Sequence, residues 1–451
     1  MTPPTCSTFA VPVGIPVYGV TFTPTNQLLI GGGGGPGRSG VQNKLVSYKV
    51  EPRRKDLEEE AVYDLSNDED APMCLDAHPT ENVVVAGINS TEQNIKKGEN
   101  KNCRVFKVLE SQFELTKSLA SITSKSAEDY QKVIRFNSDG TLFATGSSNG
   151  QVRVYSYPSL EPACDAIESS GDDEVMDVDI SLEKDKLTFL LRDAIKLVNL
   201  RGRHAGKVKQ TISPATIDNK QKFQFRSFRY GRLYCKDFAY LVANSPKGGY
   251  VVKLDAYTLE RVQMVRISKK PITAFCISQD GGVIAAASSD YTISLYESNS
   301  LRLLYQLKEA HGFAITSIAI SPDRRLLASG SADNSCRIIT LPEQFSNAVA
   351  AINPLKTVLL AVVTAFLILL IIHFISSGTS EQTLLDSIKG SPAITTTTDI
   401  QATSTILTTT AAANIETGTI TASANDNDNG DSINMDSTTL IYSVTHTKDE
   451  L

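Results

Sequence analysis

From the N-terminus to about Leu341 the chain repeats one pattern of apolar and polar positions. An alternating strand leads to a turn containing Asp and Gly, then a second strand ending in small residues, a polar turn and a third strand. The clearest copies are VIRFNSDGTLFATGSSNGQVRVYSY from Val133, ITAFCISQDGGVIAAASSDYTISLYES from Ile272 and ITSIAISPDRRLLASGSADNSCRIITL from Ile315. Asp280 and Asp323 lie 43 residues apart, and so do Asp290 and Asp333. Weaker copies begin near Val17, Met73, Val175 and Phe225.

That period matches a four-stranded propeller blade, and the count predicts an all-β, seven-bladed WD-type β-propeller over residues 1–341. The competing architecture, an array of two-sheet sandwiches, does not favour a 43-residue period. The Trp-Asp dipeptide of such repeats is absent, since the chain has no Trp; Val154-Tyr155 and Leu295-Tyr296 stand in its place. The small-residue runs at Ala144–Ser148, Ala285–Ser289 and Ala328–Ser331 are expected on inner strands crowding the central axis.

The pattern changes after residue 341. A short tether, 342–356, precedes TVLLAVVTAFLILLIIHFI from Thr357 to Ile375, which has no formally charged residue. As a helix it would be roughly 28 Å long, enough for a thin bilayer core. His373 stands near one end, where an imidazole reaches the interface. The tail 376–451 is rich in Ser and Thr and carries ten carboxylates against Lys389 and Lys448, so it is expected to be disordered. It ends in Lys448-Asp449-Glu450-Leu451, a retention signal read by a KDEL-type receptor in the lumen of the endoplasmic reticulum. The N-terminus lacks a basic, then apolar, leader. The expectation is therefore a type II protein of the endoplasmic reticulum membrane, with a cytosolic propeller and a lumenal tail. The seven cysteines all precede the apolar run and are scattered singly, which disfavours zinc and disulfide frameworks.

The formal charge of −6 argues against a nucleic-acid binder with a dominant basic face. In the tail His446 is the only imidazole, and no nucleophile–base set accompanies it, so a lumenal enzyme is disfavoured. The acidic stretches Asn67–Asp70 and Gly171–Glu174 read as solvated turns, or as contacts for a basic partner surface.

One loop does not fit the blade pattern. Between NQLLI and KLVSYKV, seven glycines fall within thirteen positions, Gly31 to Asn43. The run contains Gly32-x-Gly34-x-x-Gly37, as in a dinucleotide fingerprint, and Gly32-x4-Gly37-Arg38-Ser39, close to a phosphate-binding loop. Both need a following helix, whereas a strand follows here. The remaining readings are a floppy exposed loop, or a ring of backbone carbonyls suited to K⁺. The projecting end of the loop would carry the neutral amides of Gln42 and Asn43.

GGGGGPGRSGVQNKL resembles the glycine-rich loop of the membrane-bound exchange factors that activate the Sar-family small GTPase and start COPII coat assembly. That family includes prolactin regulatory element-binding protein. DEDAPMCLDA around Pro72 and AHGFAITSIAISPD from Ala310 resemble the same family, as does the order of propeller, single span and variable tail. The resemblance implies guanine-nucleotide exchange without bond chemistry. It further implies K⁺ held by the backbone of Gly34, Gly35, Gly37 and Gly40, and Asn43 inserted near the GTPase switch regions. Gly40, Val41 and Gln42 would flank that contact, with Pro72, His311 and Phe313 as further contacts. Gln42 departs from the family pattern, where Pro stands. The alternative is a silent WD-type scaffold, or a modulator of the GTPase cycle, at the same membrane.

Overall fold

The structure, a computed structural model, describes residues 6–37, 40–169 and 173–345, together with 364, 367–370 and 373. Seven four-stranded antiparallel sheets form the first of two units. The first blade comprises β2 (Val17–Phe22), β3 (Leu28–Gly32), β4 (Lys44–Glu51) and β5 (Asp56–Asp64), preceded in the chain by β1 (Thr8–Pro12). Later blades start at Cys74, Gln131, Asp177, Gln224, Ile272 and Ile315, close to the starts expected from the repeat. Each blade's first strand lies beside the first strands of its two neighbours, and the series closes on itself into a ring.

The ring is locked by its N-terminus. The last blade supplies only three strands of its own, and β1 completes it, with Thr8 opposite Ile339 and Pro12 opposite Ser335. This removes the open edge that a ladder ending at Thr340 would expose.

The repeat is written in turn chemistry as well as in hydrophobicity. Ser278 and Ser321 hydroxyls donate to Asp280 and Asp323 at 2.5 and 2.6 Å, closing equivalent first turns of adjacent blades in the same register. Ser288 donates to Asp290 at 2.5 Å in the equivalent second turn. Blades are latched to each other at the axis by carboxylates: Asp76 accepts from the Phe136 amide at 2.8 Å, and Asp179 from the Tyr230 amide at 2.8 Å.

The small-residue runs are not on the innermost strands. They lie on the second strand of their blades (Leu142–Ser147, Val283–Ser288, Leu326–Ser331), where both faces are covered by neighbouring sheets. A Cβ on Gly330 would stand 2.3 Å from Val17 Cγ1, so close blade-to-blade contact sets the requirement for small size. Core clusters accordingly bridge adjacent blades: Val17, Leu28 and Ile30 of the first pack with Ala328 and Ile338 of the last. The described cysteines are unpaired, and burial pushes the thiols of Cys74 and Cys336 up to about 12, as expected of inert core residues.

In the second unit, Thr364, Leu367–Leu370 and His373 are helical. Among the described residues no helix is long and apolar enough to cross a membrane. Most of the expected span, the tether beyond residue 345 and the tail with its Lys448–Leu451 signal lie outside the described residues.

Candidate functional site

The glycine-rich segment is split between strand and loop. Gly31 and Gly32 belong to β3, and each is there because a neighbour comes too close for a side chain. A Cβ on Gly31 would meet Leu75 Cδ2 at 2.6 Å and Pro72 Cβ at 2.9 Å; one on Gly32 would meet the Pro16 carbonyl oxygen at 2.0 Å. The loop proper runs from residue 33 to 43 and passes straight into β4. No helix follows it, which removes the phosphate-binding and dinucleotide readings on structural grounds.

The antiparallel meander puts this second-to-third-strand loop at the same end of the ring as the connections between blades. Three of those contacts hold it: the Gly33 amide donates to Pro16 O at 3.0 Å, Gly37 to Asn67 O at 3.2 Å, and Gln42 Nε2 to Leu65 O at 2.6 Å.

Asn43 does not project. It is 1% exposed, and its carboxamide is turned into the base of the loop. Oδ1 accepts from the Gly35 amide at 2.9 Å, while Nδ2 donates to the carbonyls of Gly35 and Glu69, each at 2.9 Å. Glu69 is held in turn by Arg104 Nη2, 2.5 Å from its Oε1. A neutral amide is suited to this place because one group both donates and accepts, closing a ring with the Gly35 peptide. Gly33 makes room for it: at φ 147°, an added Cβ would lie 2.2 Å from Asn43 Oδ1. The expectation of an outward-pointing carboxamide is thus corrected for the free protein.

The other expected contacts divide. Gly37, Gly40 and Gln42 are exposed, Gly34 and Gly35 are half-buried, and Val41 packs partly against the core shared by the first and last blades. Pro72 is buried beneath Gly31, and so offers no surface. His311 is buried as well. Its Nε2 lies 2.8 Å from Ser329 Oγ, and its Nδ1 3.2 Å from Asp333 and 3.1 Å from Ser335, a network that fastens the last blade's entry to its second turn. Burial holds its pKa below the ordinary imidazole value, with Asp333 opposing. Phe313, by contrast, is 57% exposed at the same end of the ring as the loop.

Arg104 was missed from sequence, and Glu69 and Asp70 were noticed only as part of an acidic stretch. The turn at Asn67–Asp70 does not present its carboxylates to solvent as a unit. Asp70 lies under the loop, its Oδ1 3.7 Å from where a Gly35 Cβ would be, and the Ala71 amide donates to it at 2.8 Å. Burial raises its pKa, and among the described residues no ion pair offsets that. Left-handed glycines at 35, 37 and 40 turn successive peptide groups of the loop in different directions. Carbonyls with one desolvated carboxylate form a donor set that fits a weakly hydrated monovalent cation, although the Gly35 carbonyl already accepts from Asn43. Among the described residues no group of three or more His, Cys, Asp or Glu side chains could hold a metal ion.

Comparison with known proteins agrees with the fold and adds a functional likeness. The model described as "WD domain, G-beta repeat" matches residues 128–156, 261–297 and 302–340. Among solved structures, a chain of the mitotic checkpoint complex superposes with a TM-score of 0.56 at 12% identity, covering 76% of this chain and 95% of that one. Raptor from Chaetomium thermophilum gives 0.56 at 14%, covering 74% and 29%. These show the fold alone. Guanine nucleotide-exchange factor SEC12 of Candida glabrata is 26% identical, over 74% of this chain and 72% of its own. SEC12 of Rattus norvegicus is 24% identical, over 73% and 90%, and SEC12-like protein 2 of Arabidopsis thaliana 26%, over 68% and 74%. Taken with the seven-bladed ring, these comparisons show a WD-repeat chain that is similar to the SEC12 guanine nucleotide-exchange factors.

Proposed function

We propose that the protein is a guanine-nucleotide exchange factor for a Sar-family small GTPase, acting at the endoplasmic reticulum membrane to initiate COPII budding. The observation that carries this reading is the hydrogen bonding of Asn43 at the base of the glycine-rich loop, in a chain whose relatives bear the exchange-factor name. Exchange needs no bond chemistry. A factor speeds GDP release by binding the open, nucleotide-free GTPase more tightly than the GDP-bound one. The exposed rim Gly37, Gly40 and Gln42, with Phe313 at the same end of the ring, is the contact surface. Asn43 acts through the loop, fixing its shape before encounter so that little ordering entropy is lost on binding.

The carbonyls of Gly34, Gly35, Gly37 and Gly40, with Asp70, would hold K⁺. The ion would supply positive charge that orders the loop's peptide dipoles. The apolar run 357–375 would anchor the propeller, confining activation to one membrane, and the terminal Lys448-Asp449-Glu450-Leu451 would engage a lumenal retention receptor. The test is release of a fluorescent GDP analogue from purified Sar-type GTPase with and without the protein. Acceleration supports the reading, whereas an unchanged rate leaves only a scaffold.

A further inference from the structure

The axis of the propeller holds a second feature, separate from the loop. A cavity of about 440 Å³ is lined by the first strands of the blades, among them Tyr18, Tyr130 and Thr273, so it opens at the same end as the glycine-rich loop. Four of its side chains are cationic, Lys132, Arg135, Arg226 and Arg229, and only Asp177 is anionic.

The acceptors around this cavity are already committed. One oxygen of Asp177 takes the Phe228 amide at 3.0 Å, Arg229 Nη1 at 2.6 Å and the Ser227 hydroxyl. Glu174, behind the wall, takes Lys132 at 2.7 Å and Arg192 at 2.8 Å. Asp76 is spent on the Phe136 amide and lies 3.8 Å from Arg135, beyond hydrogen-bond range. Two guanidiniums keep N–H donors that no protein acceptor takes up. Arg135 Nε is buried with no hydrogen-bond partner, its ion pairs with Asp177 and Asp76 being 3.8 Å long, and Arg226 makes neither a hydrogen bond nor an ion pair among the described residues. Burial lowers the pKa of Arg226, with Asp177 and Glu174 opposing and the like charges of Arg229 and Arg135 adding to it.

We infer that the axial cavity is a binding site for a phosphate group, free or as a small monoester, held by Arg226 and Arg135. A tetrahedral oxyanion offers acceptors in several directions at once, which suits planar guanidinium forks converging from two blades. The volume leaves room for a substituent or for hydrating water.

The test is isothermal titration of the full chain in detergent with inorganic phosphate, at ionic strength held constant with chloride, and in parallel with glycerol 3-phosphate. Saturable one-site binding of phosphate is expected, weakened about tenfold or more in Arg226→Gln. Because Arg226 holds no partner, this variant should melt at the same or a higher temperature than the parent when phosphate is absent. Binding of phosphate alone identifies an enclosed ion; equal binding of glycerol 3-phosphate shows that the mouth admits the substituent. Absence of saturable heat from both ligands, or unaltered affinity in Arg226→Gln, overturns the assignment. Thermal unfolding of the variant well below the parent would show instead that Arg226 is a structural residue, and would also overturn it.

Discussion

Replacing Asn43 by Ala removes three hydrogen bonds at once: two to the Gly35 peptide and one to Glu69 O, each 2.9 Å. At about 1 kcal/mol net apiece the upper bound is ~3 kcal/mol. Gly35 is half-buried, so water recovers part of that, leaving about 2 kcal/mol against the ordered loop. The rest of the propeller does not depend on this ring, and the loss is therefore local. Hydrogen exchange at the Gly35 amide should quicken by roughly thirtyfold, with the melting temperature little changed. GDP release should fall in step. Asn43→Asp is the sharper variant. It keeps an acceptor for the Gly35 amide but loses both donations, and it sets a carboxylate against two carbonyl oxygens. It should therefore disorder the loop at least as much as Ala, despite its near-identical shape. Unchanged Gly35 protection in both variants would refute the bracing role, whatever happens to exchange activity.

Four further outcomes follow from the same geometry. Gly33→Ala should displace the Asn43 carboxamide, since its Cβ would sit 2.2 Å from Oδ1, and should reproduce the Asn43→Ala exchange pattern in hydrogen–deuterium measurements. Phe313→Ala should slow GDP release while shifting stability by no more than about 0.5 kcal/mol, read by melting and exchange assays side by side. His311 and His78 both have pKa values lowered by burial, so below about 6.5 the unfolded chain takes up protons that the folded chain resists. Stability should thus be complete above that range and decline as pH falls through it, with His311→Gln flattening the decline in a pH series of melts. Replacing K⁺ by Na⁺ should reduce exchange activity, and Asp70→Asn should weaken the K⁺ dependence; equal rates in both salts would remove the ion from the account.

The blades were legible because their information is local and repeated. A Ser two residues before Asp280 and Asp323 closes equivalent turns, and alternation marks the flanking strands. Which strand sits innermost was not legible, since the second strands are also fully covered and small residues suit either place. The loop's position was readable from its glycines, but the direction of Asn43 was not. It is decided by Glu69, 26 residues away, whose own position depends on Arg104 in the next blade. His311 was expected as a contact from the resemblance of its segment, and its hydrogen-bonded partners Ser329 and Asp333 become neighbours only when the blade folds. Phe313 runs against burial habit for its type because it lies on an inter-blade connection, outside any sheet. The axial guanidiniums come from different blades and carry no motif.

The central claim is that this protein opens the nucleotide site of a small GTPase through the braced loop. The most direct measurement is the rate of fluorescent GDP release from a purified Sar-type GTPase in K⁺ buffer, with the intact chain and with Asn43→Asp. A protein-dependent acceleration that the variant loses while retaining its fold is expected. A release rate indifferent to the intact protein would contradict it.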